Sequence, residues 1–213
     1  MTISENVAAV LDHVITAENK SGHKTTVIGV TKYVDADKAR ELVEAGITHI
    51  AENRTELFLD KQEKLSDLPI TWHLIGTLQR RKVKDVINHV DYFHALDSIK
   101  LAHEIEKRAD HVIKCFLQVN VSGETSKHGF SPDELADVLP EISNLSKVKI
   151  VGLMTMAPID ASETELIEIF DKAKSLQVEI ASQNLAHIPC TELSMGMSQD
   201  YQQAILHGAT FVR

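Results

Sequence analysis

A lysine, a run of small residues and an arginine are the groups in this sequence best suited to chemistry on a small anionic aldehyde. Lys32 follows the apolar, β-branched run Thr26-Val27-Ile28-Gly29-Val30-Thr31, which reads as a buried strand. Ser194-Met195-Gly196-Met197-Ser198 stands between another apolar run and a helical pattern. The first N–H groups of a helix lack partners within it, and with the positive end of the dipole they favour an anion, commonly phosphate. Gly196 lets the backbone approach such a group closely. Arg213 follows a further apolar run at the end of the sequence. A lysine held near another cation releases its proton more readily, which suits a nucleophile that attacks carbonyl carbon. Pyridoxal 5'-phosphate is an aldehyde that carries a phosphate. The lysine would take the aldehyde, the Ser194–Ser198 run the phosphate, and a third group would face the pyridine nitrogen.

Each feature also has a plainer reading. A lysine at a strand end is usually a solvated turn residue, and the small-residue run could be a loop ending in an ordinary helix cap at Ser198. His73 lies within the apolar run 70–75 and reads either as a core histidine or as a contact to a ligand. Met154 ends the run 148–154 and reads as core, although a methionine at a strand end can line the face of a ring. Asn53 lies in an Ala-Glu-Asn-Arg turn, where it caps a helix or faces a ligand. The basic run Arg80-Arg81-Lys82-Val83-Lys84 has the pattern of a solvated helix face, with phosphate or partner binding as the sharper alternative.

The elements that must position these groups alternate along the chain. A leading helix spans 2–17, with Thr2 and Glu5 at capping-box spacing. Strands are expected at 26–31, 47–51, 70–75, 91–95, 112–121, 148–154, 187–193 and 209–212. Helical patterns separate them: one capped by Asp35 and ended by Gly46, then 54–64, 80–88, 98–109, one opened by Ser131-Pro132-Asp133-Glu134, one from Ser162 to about 181, and one from Ser198 to Gly208. Eight strands alternating with helices, with no Pro/Ser/Gly linker, read as one α/β domain over 1–213, a (β/α)8 TIM barrel with an extra N-terminal helix. A doubly wound sheet is the alternative. It lacks support because no glycine-rich phosphate fingerprint follows the first strand. In a barrel the strand ends meet at one mouth, which would gather Lys32, Glu52, Asn53, His73, Met154, Thr155, Ser194 and Arg213.

Composition narrows the classes. The chain has 213 residues, 43% hydrophobic and 25% charged, with a net charge of −9. That balance argues against a general nucleic-acid or anionic-membrane binder. No long apolar span and no signal-peptide pattern is visible, so a cytoplasmic protein is the expectation. Cys115 and Cys190 are far apart and read as reduced, buried thiols. Eleven histidines form no HxH or HExxH pattern, so no metal site is expected.

A set of motifs runs in order through the chain: Val30-Thr31-Lys32, Glu52-Asn53, Trp72-His73-Leu74-Ile75-Gly76, Gln118-Val119-Asn120, Ser122-Gly123-Glu124 with Ser126-Lys127, Gly152-Leu153-Met154, Leu193-Ser194-Met195-Gly196-Met197-Ser198, and Phe211-Val212-Arg213. Together they resemble the pyridoxal phosphate homeostasis proteins, whose fold is similar to the N-terminal barrel of alanine racemase, the fold type III group. The resemblance implies that Lys32 forms a Schiff base with pyridoxal 5'-phosphate. It implies that Ser194 and Gly196 belong to the phosphate loop and that Arg213 faces the pyridine nitrogen. It also implies that Asn53, His73 and Met154 line the pocket. It implies a monomeric cofactor carrier or regulator acting in vitamin B6 balance, with apoenzymes that need the cofactor as partners. The family continues past the arginine into a glycine-containing segment and a last helix. A C-terminally truncated barrel is therefore expected here, with the neighbour of its first strand uncovered and without the β domain that supplies a second acid/base in alanine racemase. Two other classes stay open: a racemase-like enzyme acting on amino acids, and a lysine-dependent barrel aldolase without cofactor.

Overall fold

Short β-branched runs cannot cover their own faces, and parallel strands need helical crossovers that bury both sides of the sheet. The computed structural model, which describes residues 1–125 and 128–213, shows how this chain meets that requirement. Eight parallel strands close into a barrel in sequence order: β1 (Thr26–Val30), β2 (His49–Glu52), β3 (Thr71–Leu74), β4 (Tyr92–Leu96), β5 (Ile113–Gln118), β6 (Val148–Met154), β7 (Glu192–Ser194) and β8 (Phe211–Val212). Closure pairs Thr26 with Phe211 and Val27 with Val212. Helix α1 (Ile3–Ser21) precedes the barrel. The crossovers are α2 (Ala36–Glu44), α3 (Thr55–Lys64), α4 (Arg80–Val86), α5 (Ile99–Arg108), α6 (Leu135–Ser143), α7 (Glu163–Ser182) and α8 (Tyr201–Leu206).

The helix starts follow the sequence signals. Thr2 with Glu5, Ser131 with Glu134 and Ser162 with Glu165 all form reciprocal capping boxes. Asp35 accepts from the Lys38 N–H and Ser98 from the Leu101 N–H. Helix α1 packs against both α8 and α2, and His13 Nδ1 meets the Tyr201 hydroxyl at 3.0 Å. The sequence had led us to expect the neighbour of the first strand to be uncovered; that neighbour, β8, is buried at Phe211 and Val212. A cavity of about 230 Å³ remains there, bordered by Val10, Val30, Tyr201, Val212 and Arg213.

Three of the boundaries that differ from expectation have a visible reason or bear on the site. The fifth strand is the shorter Ile113–Gln118; beyond it Val119 makes an isolated bridge to Phe130. The seventh is only Glu192–Ser194. Residues 187–190 do bond to β6, through Ile150 N–H to His187 O and Cys190 N–H to Ile150 O. However, His187 and Cys190 have φ of 62° and 46°, which takes that stretch out of extended conformation. The last helix begins at Tyr201, not near Ser198. The Asp200 carboxylate accepts the Met197 N–H at 2.6 Å, so a turn stands where the first helical turn was expected.

The barrel interior is aromatic where branched aliphatics are usual. His49, His73, Tyr92, His94, Phe116 and Phe211 form one contacting cluster of rings. Between barrel and helices lies an apolar layer, with Phe58, Ile105, Ile142 and Phe170 fully buried.

Candidate functional site

A cleft of about 710 Å³ opens at the carboxyl ends of the strands, where barrel enzymes carry their chemistry. Lys32 enters it from the end of β1, Asn53 from β2, Met154 from β6 and Arg213 from β8. Tyr33, Arg54, Gly76, Gln118, His128, Met197 and Ser198 complete much of the wall. Four of the seven residues singled out in the sequence therefore converge on one space.

Lys32 holds its ammonium 4.9 Å from the centre of the Tyr33 ring, and no carboxylate pairs with it among the described residues. The backbone behind it is held firmly. Thr31 N–H donates to Ala51 O at 3.0 Å, and the Thr31 hydroxyl donates to Glu52 Oε1 at 2.7 Å. Lys61 Nζ, from α3, bonds both Thr31 O and Glu52 Oε1. All three side chains are buried, so Glu52 does not face the mouth as its place at a strand end suggested. It turns outward into the layer under α3, and its Oε2 has no hydrogen-bond partner among the described residues.

Arg213 is fixed by three contacts. Its N–H donates to Gly196 O at 3.0 Å, Nη1 donates to Ser194 Oγ at 2.9 Å, and Nη2 reaches Thr155 O at 3.4 Å. Burial lowers its pKa to about 10, with the Asp200 carboxylate opposing the shift, so it is charged at neutral pH. Gly196 adopts φ +99°, and a Cβ there would stand 2.7 Å from the Ala204 Cβ. A side chain is excluded on both counts. Neither the Gly196 N–H nor the Ser198 N–H makes a hydrogen bond among the described residues. Gly76 is constrained by space alone: a Cβ would lie 2.1 Å from Asn53 O.

Three residues assigned to the pocket are not in its wall: Gly196, which is buried and accepts from the Arg213 N–H, Ser194 and His73. Ser194 is fully buried below the cleft, and Ser198 stands at its wall instead. His73 is 0% exposed within the barrel core, with Nε2 at 2.8 Å from His49 Nδ1 and Nδ1 at 2.8 Å from His94 Nε2. Both its nitrogens are occupied, so direct contact with a molecule in the cleft is corrected to an indirect link. His94 Nδ1 continues that link to Ser194 Oγ at 2.9 Å. Burial holds the His73 pKa down to about 3 and that of His94 well below the usual 6.5. His49 and His94 escaped the sequence reading. Their signal was their alternation with Ala51 and Tyr92 on the inner faces of β2 and β4, which gains meaning only with the register.

In the loop 122–129, Asn120 Nδ2 donates to Glu124 O at 2.6 Å, and His128 reaches the cleft. The Ser126-Lys127 motif lies outside the described residues. The basic run falls on α4, where Lys82 pairs with Glu56 and Val83 is buried, as on an ordinary solvated helix.

The chain matches the family described as "Alanine racemase, N-terminal domain" over residues 6–213. It is 36% identical to the "Pyridoxal phosphate homeostasis protein" of Aquifex aeolicus, across 100% of this chain and 95% of that protein. The protein of the same name from Escherichia coli K12 is 30% identical across 99% of this chain and 93% of its own length. Among solved structures, PipY of Synechococcus elongatus with PLP bound is similar at 34% identity, with a TM-score of 0.89, covering 100% of this chain and 97% of PipY. Alanine racemase of Clostridium difficile shares the fold at 15% identity and a TM-score of 0.74, covering 94% of this chain and 56% of that one. This chain therefore belongs to the alanine racemase N-terminal domain family, among its pyridoxal phosphate homeostasis proteins.

Proposed function

We propose that the barrel is a single pyridoxal 5'-phosphate-binding domain that holds the cofactor in the service of vitamin B6 homeostasis rather than turning over a substrate. The observation that carries this reading is the convergence of Lys32 and Arg213 on one cleft with Ser198 in its wall, beside Gly196 and Ser198 N–H groups that make no hydrogen bond among the described residues. When bound, pyridoxal phosphate supplies an aldehyde that condenses with an amine and a pyridine ring that can accept electron density. Lys32 is the amine within the cleft. Gly196 and Ser198 donate to the phosphate. Arg213, a donor only, faces the ring nitrogen and keeps it unprotonated, which weakens the ring as an electron sink. Asn53 and Met154 line the pocket, and Ser194 acts through Arg213.

That electrostatic arrangement, and relatives named for homeostasis, support a holding role. Delivery to apoenzymes and a monomeric state belong to the same reading. So does a cytoplasmic location, supported by two buried free thiols, Cys115 and Cys190. No helix among the described residues is long and apolar enough to cross a membrane.

Borohydride reduction followed by peptide mapping tests the site. A pyridoxyl group on Lys32 is expected, and Lys32→Ala should lose the visible absorbance of the bound cofactor. A clean Lys32 under saturating cofactor overturns the reading. Solvent deuterium incorporated at the α-carbon of an amino acid in a Lys32-dependent manner would instead establish a racemase-like enzyme.

A further inference from the structure

Three histidines cross the inside of the barrel in a single hydrogen-bonded file. His49 lies at the start of β2 and borders a cavity at the amino-terminal face of the barrel. Thr71 faces it on β3, and His73 is two residues further along that strand. Tyr92 faces His73 on β4, and His94 is again two residues further along. Each step therefore moves one strand around the barrel and toward its carboxyl mouth, with ring centroids 5.1 Å and then 5.0 Å apart. The links are 2.8 Å from His49 Nδ1 to His73 Nε2, 2.8 Å from His73 Nδ1 to His94 Nε2, and 2.9 Å from His94 Nδ1 to Ser194 Oγ. Arg213 closes the file on Ser194.

The rings are also held flat against aromatic neighbours. Tyr92 stacks on His73 with 4.8 Å between centroids and 6° between planes. Phe116 stacks on His94 at 4.4 Å and 24°. Phe211 closes on both rings from the side. Their nitrogens therefore point in fixed directions.

The direction of the file follows from its arginine end. A guanidinium only donates, so Ser194 Oγ accepts from Arg213. Ser194 is fully buried, and its hydroxyl oxygen meets only Arg213 and His94 among the described residues. If His94 Nδ1 also donated, the hydroxyl proton would be buried without an acceptor. Leaving a buried donor unpaired costs about 1–3 kcal/mol. The hydroxyl must then donate to His94 Nδ1. A neutral imidazole with an accepting Nδ1 carries its proton on Nε2, so His94 donates to His73 Nδ1. His73 in turn donates to His49 Nδ1.

We infer that His94, His73 and His49 are positioning residues for Arg213: a file of like tautomers orients the Ser194 hydroxyl, which fixes the guanidinium against the cleft. This rests on the proposed role of Arg213 at the ring nitrogen, but the tautomer pattern itself requires no cofactor.

The first measurement is nitrogen NMR of the full chain labelled in histidine, without added cofactor. Each of the three buried-file histidines is expected to show a protonated Nε2 and an unprotonated Nδ1. A protonated Nδ1 on His94 overturns the inference, whatever the cofactor does. The second uses pyridoxal phosphate with two variants. The side-chain oxygen of His94→Asn stands near the place of Nδ1 and can accept the Ser194 proton; His94→Phe cannot. His94→Phe should weaken binding by about tenfold, the lower end of an orphaned buried donor, and move the visible band. His94→Asn should remain within about threefold of the unsubstituted chain with its band in place. Equal behaviour of the two variants, or an unmoved band in His94→Phe, sinks the inference. Failure of the cofactor-site reading is distinct from either result, because it appears as an unlabelled Lys32 and no visible band in the unsubstituted chain.

Discussion

Lys32 and Arg213 reach the same cleft from adjoining strands, yet the buried polar groups behind them work on opposite principles. Behind Lys32, the carboxylate of Glu52 and the ammonium of Lys61 meet between barrel and helix, and together they bind the main chain and hydroxyl of Thr31. Behind Arg213 no counter-ion is in contact among the described residues. A neutral file of imidazoles and a hydroxyl fills the centre of the barrel instead. The ion pair is compact, and its two charges cancel within one contact. The file is extended, and each member is satisfied only if all share one direction. A buried charge tolerates little: remove one partner and the other is left in a low-dielectric site. A neutral file fails more gently, by the cost of one unpaired donor or acceptor.

The largest expected effect breaks the first side of this comparison. Lys61→Met leaves Glu52 buried without its counter-ion and should lower stability by about 3–5 kcal/mol. Urea unfolding measures this, and Glu52→Gln combined with Lys61→Met should recover most of the loss. A single variant within about 1 kcal/mol of the unsubstituted chain would mean the pair is not a buried charge pair at all.

The second side is sharpened by acid. Burial holds the His73 pKa at about 3, against an ordinary 6.5, and that of His94 well below 6.5 through burial, His73 and Arg213. His49 is lowered by burial, with Asp91 opposing the shift. An unfolded chain therefore binds protons that the folded one refuses. Stability is complete above pH 6.5 and is lost as the pH falls from there toward the depressed folded values. Each such histidine steepens the loss by up to about 1.4 kcal/mol per pH unit. Unfolding midpoints at pH 7.5 and 5 read this slope (both set by the experimenter, about one unit above and somewhat below the free imidazole value). A His73→Phe variant should show a shallower dependence, and an unchanged slope would remove the file from the account.

The smallest effect is a control remote from both sides. Ser162→Ala removes the capping box on α7 and should cost about 1 kcal/mol. Its pH slope and bound-cofactor absorbance should match those of the unsubstituted chain. A change in either would mean that the two polar systems respond to global stability rather than to their own contacts.

How far the site was legible varies residue by residue. Lys32 and Arg213 were visible because a strand end in a barrel has one destination. Ser194 and His73 were legible as strand residues but their burial away from the cleft lining was not, since period-2 alternation gives the face of a residue and not its height along the barrel axis. Asp200 displaced the expected cap at Ser198 because its carboxylate reaches back to the Met197 N–H. Glu52 and Lys61 are nine residues apart on different elements, and nothing local marks them as partners.

What the sequence determined by itself is the order of strands and helices, most of their caps, the closed barrel they build and the lysine and arginine at its mouth. These follow from local chemistry: β-branched runs, capping boxes, and the alternation of apolar faces. Only the tertiary structure decided which polar residues meet inside. The register of β2, β3 and β4 brings histidines 24 and 21 residues apart within 2.8 Å of each other. Barrel closure brings Ser194 to His94 across 100 residues of chain. Such contacts depend on distances through space that no local pattern encodes, and they settle what stands behind each of the two cations in the cleft.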